Sequence, residues 1–304
     1  MNKLPEFGQS PELVESKKGQ GVTIHNYWIR HSQKVNAEVF NADKTAISNS
    51  SISAGGAIRA QERGKATEAG LHGAKGYKSN SKRTQETFDA LMAGYAELNS
   101  GAPIREGVRI KQELFVAAGT PEFLAEYDQK SSANKKRLLA EGVASGKYPD
   151  VEFAKLTPDQ QEEITEEAEE PVVREWIDNP DSKMAASFPP RIQATKFAKL
   201  FDRHSRLAKK LNNGSEVDLF HNTHKTVTEP FLASGVLRRK SDNERITTLQ
   251  QIGGSLRILD QWESTAKTDE QGNLSFLITI RGEQYGLDNE AYQKLLTEGT
   301  NHVE

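Results

Sequence analysis

Arg30 and His31 stand where the apolar run Ile24-His25-Asn26-Tyr27-Trp28-Ile29 stops, so a nucleophile and a guanidinium sit side by side at the end of a strand. Open α/β sheets bind their ligands at such ends. A neutral imidazole nitrogen attacks phosphorus near pH 7, and a neighbouring guanidinium grips phosphoryl oxygens through paired hydrogen bonds. The dipeptide alone is also compatible with a polar side chain that merely satisfies a strand terminus.

Two further segments carry the same chemistry. In Ser79-Asn80-Ser81-Lys82-Arg83-Thr84-Gln85-Glu86-Thr87, a short run ending at Tyr77 gives way to a helix whose Phe88, Leu91, Met92 and Tyr95 recur at i, i+3, i+4 and i+7. Ser79 or Ser81 serves as N-cap, which puts Arg83 in the first turn. Free N–H groups, the helix dipole and a guanidinium then converge on one anion site. A capped surface helix with a solvated arginine is the plainer alternative. Farther on, Val217-Asp218-Leu219-Phe220-His221-Asn222-Thr223-His224 again reads as a buried strand ending in histidine.

Taken in order, Arg30-His31, Ser79 through Thr87 with Arg83, and Thr223-His224 resemble the signature of the histidine phosphatase superfamily, also called phosphoglycerate-mutase-like. Residues 51–60, Ser51-Ile52-Ser53-Ala54-Gly55-Gly56-Ala57-Ile58-Arg59-Ala60, resemble the opening of the family's first helix. The resemblance implies that His31 is the nucleophile that becomes phosphohistidine, and that Arg30, Arg83 and His224 surround the phosphoryl oxygens. The physics agrees: a phosphate dianion repels a lone pair, so cations must neutralise it before attack, and neighbouring cations that lower the His31 pKa keep it nucleophilic.

The pattern also departs from the family. Ser32 stands where glycine or alanine usually follows the catalytic histidine. Lys34 occupies the position of an arginine in the acid-phosphatase branch, keeping the charge for phosphate without the forked geometry. Lys225 replaces the aspartate that follows the second histidine in that branch and cannot donate the proton that a leaving alkoxide needs. Glu113 is the candidate acid, because with Gly119 it resembles the glutamate and glycine of the mutase and broad-specificity phosphatase branch. Glu106 and Glu229 are alternatives, although a first-turn Glu229 before Pro230 has a sufficient structural explanation.

Metal chemistry is the competing reading for His221 and His224. Residues three apart on a strand point to opposite faces, and the chain has no cysteine and no His-Glu-x-x-His pattern, so no metal or other cofactor is expected. His25 lies about 20 Å from His31 along an extended strand. His72 and His204 read as surface residues of helical stretches.

A net charge of −3 gives no polyanion-binding signature, and the basic clusters Lys135-Lys136-Arg137 and Arg238-Arg239-Lys240 lack interleaved aromatics, so nucleic acid is not an expected partner. No segment approaches 18 consecutive apolar residues and the N-terminus has no apolar leader, so no membrane association and a cytoplasmic location are expected. The expected substrate is a phosphorylated small molecule or a phosphoprotein; the oligomeric state is not readable.

Strand and helix alternate: a strand at 22–30, helices near 56–72 and 81–98, and a strand near 107–114. This predicts an α/β three-layer sandwich, a mainly parallel sheet with helices on both faces. From about Thr120 to Ser187 the chain becomes rich in Glu, Lys and Ala. Its run of carboxylates at 162–170, stopped by Pro171, reads as a hydrated helix face. The predicted organisation is an N-terminal arm (1–20), an α/β core (21–119 and 188–304) and an inserted helical cap (120–187) over the strand ends. A helix from Pro190 to Asn212 precedes the His224 strand. Leu256, Ile258 and Trp262, then Leu274 through Ile280, flank Asp269-Glu270-Gln271-Gly272-Asn273 and predict a C-terminal β-hairpin at the sheet edge. The function expected is a phosphomonoester hydrolase with a phosphohistidine intermediate. The alternatives are a mutase-like phosphotransferase and a catalytically inactive phospho-ligand-binding protein.

Overall fold

The two faces of β1 (Thr23–Arg30), both buried from Asn26 onward, organise the molecule. Ile24 and Trp28 project into one apolar cluster and Tyr27 and Ile29 into another, as a period of two requires of a strand covered on both faces. The structure is a computed structural model that describes residues 17–32, 51–67, 73–99, 108–114, 119–149 and 152–298.

After β1 come α1 (Ala54–Lys65), β2 (Ala74–Lys78), α2 (Lys82–Leu98) and the two-residue β3 (Arg109–Ile110). Helices α3 (Pro121–Ala144), α4 (Pro158–Asp178) and α5 (Lys183–Ser187) occupy the middle of the chain, followed by α6 (Pro190–Ser205) and β4 (Glu216–Thr223). The last third contains α7 (Glu229–Leu232), β5 (Leu237–Arg239), β6 (Arg245–Ile246), β7 (Gln261–Thr268), β8 (Leu274–Ile280), β9 (Glu283–Leu287) and α8 (Asn289–Glu298).

The sheet is α/β in architecture and mixed in direction, with order β3-β2-β4-β1-β7-β8-β9-β5-β6. Parallel pairing is confined to β3, β2, β4 and β1, and every pairing from β1 outward through β7 is antiparallel. The predicted hairpin is β7–β8, with Thr268 opposite Leu274. It lies inside the sheet rather than at the edge, because β7 pairs directly with β1 and β9 continues beyond β8. Leu256 and Ile258 precede the strand and are not part of it.

Helices α1 and α2 cover one face, where Ala60, Phe88, Leu91 and Tyr95 meet Tyr27, Ile29 and Phe220. Their backbones touch: a Cβ on Gly64 would lie 2.0 Å from the Leu91 carbonyl oxygen, and one on Gly94 would lie 1.9 Å from that of Gln61. The other face is covered by α6 through Phe197, Leu200 and Phe201, with Trp28 stacked between Trp262 and His221. His204 belongs to this stack, packed on Tyr77 and His221, and is not a surface residue. Burial, with Lys111 and Arg203 nearby, pushes its imidazole down to about 3. The α6 helix ends at Ser205 and a tighter turn continues to Lys210.

Between residues 120 and 187 the described chain is helical. Phe123, Val172, Trp176, Met184 and Phe188 form a separate apolar cluster there, and Trp176 Nε1 donates to the Phe188 carbonyl at 2.7 Å. The helix does not stop at Pro171 but runs on to Asp178. Burial of Val172, Val173 and Trp176 offsets the one hydrogen bond that the proline removes. Arg59 of α1 pairs with Asp159 and Glu162 at one end of α4, and Asp178 accepts from the Leu249 N–H at the other. Thus α4 is strapped across the carboxyl end of β1.

The close approach of Gly94 to the Gln61 carbonyl predicts that Gly94→Val forces α1 from α2 and costs about 1–3 kcal/mol, as overpacking does. A lowered denaturant midpoint with an unchanged slope is the expected readout; an unchanged midpoint would show that this close approach is not required.

Candidate active site

The pairing of β1 with β4 brings the two histidines together. Arg30 lies opposite Thr223, and the His31 N–H donates to the Thr223 carbonyl at 2.8 Å. The rings of His31 and His224 are 4.8 Å apart, edge to face. His31 Nδ1–H donates to the Ser32 carbonyl at 2.7 Å, so the lone pair lies on Nε2. Burial, then the neighbouring Arg83, His224 and Arg30, holds the His31 imidazole well below its ordinary value. Ser32 is itself held at both ends: its N–H donates to Thr87 Oγ1 and its hydroxyl to the Gly56 carbonyl. A small residue with a hydroxyl is thus accommodated after His31 by ties to α2 and α1.

Arg83 reaches the same point from the first turn of α2, whose N-cap is Ser81. Its Nη2 donates to His224 Nδ1 at 3.1 Å. A guanidinium has no acceptor, so Nδ1 accepts and Nε2–H is left to donate to Ser79 Oγ at 2.7 Å. Ser81 and Thr84 extend this hydroxyl cluster. These positioning hydroxyls escaped the sequence reading, which valued the serines only as caps. Nε and Nη1 of Arg83 have no protein partner among the described residues. Burial and the neighbouring Arg30 push its guanidinium down to about 10, still charged at neutral pH.

Arg30 is buried too, and its fork is occupied. Glu166 of α4 accepts from Nη1 at 2.5 Å and from Nη2 at 2.6 Å, and the Leu256 carbonyl accepts from Nη1 at 2.8 Å. Although burial alone would lower its pKa, Glu166 raises it. The carboxylate run of α4 is therefore not simply a hydrated face: Glu166 turns inward because a buried guanidinium requires a counterion. Lys225 is likewise buried, with Nζ 3.3 Å from Glu169 and 3.6 Å from Glu166. The next residue, Thr226, has a φ of 72°, an uncommon conformation for a β-branched side chain, so the chain turns sharply after the second histidine.

The candidate acids separate. Glu113 pairs with Arg203 of α6, and although partial burial raises it, its own backbone and Arg203 hold it below the usual carboxylate range. The physical reason is that β3 ends at Ile110 and residues Gln112–Leu114 curl into a 3-10 turn, which sends Glu113 toward α6. That carboxylate is poorly suited to donate a proton. Glu229 is fully enclosed in α7; burial raises its carboxyl against the opposing charges of Arg30 and Lys225, and its Oε1 has no hydrogen-bond partner. Glu106 and Lys34, like His72, lie outside the described residues.

His221 stays on the far face, donating to Asn26 Oδ1, and does not join His224. No group of three metal-ligating side chains occurs among the described residues, and no described helix is long and apolar enough to cross a membrane. A cavity of about 230 Å³ borders Glu166, lined further by Glu167, Glu170, Ser255, Arg257 and Arg281. Chemically, the cluster combines an unprotonated imidazole lone pair, two guanidinium groups and a buried carboxyl with a raised pKa. Together these suit in-line displacement at an anionic centre.

No family model and no curated protein matches the chain. Among solved structures it is similar to a phosphoglycerate mutase from Bacillus anthracis str. Sterne, at 13% identity, covering 93% of this chain and 99% of that one, with a TM-score of 0.42. It is also similar to the apo form of Hafnia alvei phytase, at 8% identity, covering 96% and 98%, TM-score 0.44. A third is a Bifidobacterium longum multiple inositol polyphosphate phosphatase in complex with inositol hexasulfate, at 9% identity, covering 94% and 90%, TM-score 0.47. Each of these three matches extends over at least 93% of this chain.

Proposed function

We propose that this chain is a metal-independent phosphomonoester hydrolase of the histidine phosphatase type, working through a phosphohistidine on His31. One observation carries the reading: a buried imidazole with Nδ1 tied to the Ser32 carbonyl and its Nε2 lone pair available, beside His224 and the partnerless donors of Arg83. In the proposed cycle Nε2 of His31 attacks phosphorus, the N–P bond forms and the P–O bond to the leaving group breaks. Arg83, with His224 and Arg30, stabilises the charge on the transferring oxygens. Glu229, rather than Glu113, gives its proton to the leaving oxygen. Water then attacks phosphorus, Glu229 takes the water's proton, the N–P bond breaks and inorganic phosphate departs. Residues 120–187 act as a cap over this pocket and shape the entry of the leaving group.

The proton states suit that cycle. His31 is held neutral and Glu229 is biased toward its acid form, so the nucleophile and the acid are ready together. The same shifts make stability depend on pH. As pH falls below 6.5, an unfolded imidazole gains a proton that folded His31 resists, so stability drops toward acid. As pH rises above 4.5, an unfolded carboxyl loses the proton that Glu229 retains, so that contribution fades until the folded carboxyl also ionises.

Two sets of measurements test the reading. With an activated aryl phosphate, wild-type protein should release phosphate, while His31→Ala and Arg83→Met should lose at least about a hundredfold in kcat/KM, as removal of a nucleophile or an oxyanion donor does. Equal activity in His31→Ala would end the phosphohistidine mechanism. Glu229→Gln should lower kcat/KM for alkyl phosphates by about 10²–10⁴-fold and spare kcat/KM for the aryl ester, whose leaving group needs little protonation, while kcat falls for both because Glu229 also activates the water. In wild type the acid limb of the kcat/KM profile should fall below pH 6.5, and Glu229→Gln should erase the alkaline limb. If Glu113→Gln gives those effects instead, the acid is Glu113.

A further inference from the structure

Three buried cations meet at the ends of β1 and β4: Arg30, Arg83 and Lys225. Two of them already face carboxylates from one helix of the cap. Glu166 takes both terminal nitrogens of Arg30 and also approaches Lys225, and Glu169, one turn on, lies 3.3 Å from the same Lys225 nitrogen. Three positive groups less two carboxylates leave about one positive charge. Arg30 Nε and Lys225 Nζ, like Arg83 Nε and Nη1, lack a hydrogen-bond partner among the described residues, but Arg30 and Lys225 sit in ion pairs with Glu166 and Glu169 whereas Arg83 faces no carboxylate within ion-pair distance there. Next to Glu166 the cavity presents Glu166, Glu167 and Glu170 against Arg257 and Arg281. Arg281 is tied to the carbonyls of Ile252, Gly254 and Ser255 and to Asp260.

We propose that Glu166 and Glu169 set the charge selectivity of the pocket. It accepts one phosphoryl group on a neutral or cationic leaving group and discriminates against a leaving group that carries a second anion. Among the described residues at the strand ends, a second anionic group would meet Arg30 and Lys225, whose charges are already met by tethered carboxylates, and it would lie against those carboxylates. Like charges a few ångströms apart in a site sheltered from water weaken binding by about tenfold or more. The substrate class inferred here rests on the phosphoryl-transfer reading above, whereas the charge selectivity itself is a binding property.

Calorimetric titration of the 304-residue chain with inorganic phosphate and inorganic pyrophosphate separates the two. Wild type should bind phosphate more tightly than pyrophosphate. Glu166→Gln and Glu169→Gln should each raise the pyrophosphate-to-phosphate affinity ratio by about tenfold, with a parallel rise in kcat/KM for a sugar bisphosphate relative to phenyl phosphate. Tighter pyrophosphate binding by wild type would overturn the proposal. So would equal changes for both anions or a loss for both, since Glu166 would then serve only to position Arg30. Glu169→Gln leaves the Arg30–Glu166 pair in place, so the test stands even if thermal melting shows Glu166→Gln to be unfolded. Anion binding without turnover of phenyl phosphate would sink the hydrolase reading, while the affinity ratio would still decide charge selectivity.

Discussion

The parallel pairing of β1 with β4 is the constraint on which the site depends. Its register runs from Thr23 opposite Glu216 to Arg30 opposite Thr223, so both strands deliver their last residues to one place. His31 and His224, 193 positions apart in sequence, become neighbours because each follows directly on its strand and the His31 N–H is anchored to Thr223. A slip of one residue would exchange the faces of β1 and drive Trp28 from its stack with Trp262 into the α1–α2 side. The core therefore enforces the register, and the register places the chemistry.

Charge placed where water is scarce sets the next requirement. Arg30, Arg83, His31, Glu229 and Lys225 are all nearly inaccessible, and uncompensated burial of such groups costs several kcal/mol each. The molecule meets that cost in three different ways. Arg30 receives a bidentate counterion, His31 and Glu229 shift toward their neutral forms, and Arg83 keeps open donors. The last arrangement, a buried guanidinium with no carboxylate partner among the described residues, leaves a demand for an external anion. Helix α4 is consequently part of the electrostatics of the core, since its Glu166 supplies the counterion that Arg30 needs.

Much of this was readable in the chain because it is local. The apolar run before Arg30, the 3.6-residue period after Ser81 and the run before His224 each report an element whose end carries a candidate side chain, and in the structure β1, α2 and β4 stand there. The expectations that changed concern relations between distant segments. Glu113 was the candidate acid through its resemblance, with Gly119, to a family branch, whereas in the structure the chain curls after Ile110 and the carboxylate pairs with Arg203. The acidic run looked solvated because nothing within it reveals that Arg30, 136 residues away, needs a partner. The β7–β8 hairpin was legible, but its position inside the sheet follows from pairing with β1.

By itself, the sequence determined which residues could react and which short elements would carry them, since periodicity and capping are set by neighbours along the chain. The tertiary structure alone decided the tautomer of His224, the turning of Glu166 onto Arg30, and the raised carboxyl of Glu229. Those properties depend on burial and on partners brought together across the fold, and a pattern read along one dimension holds neither.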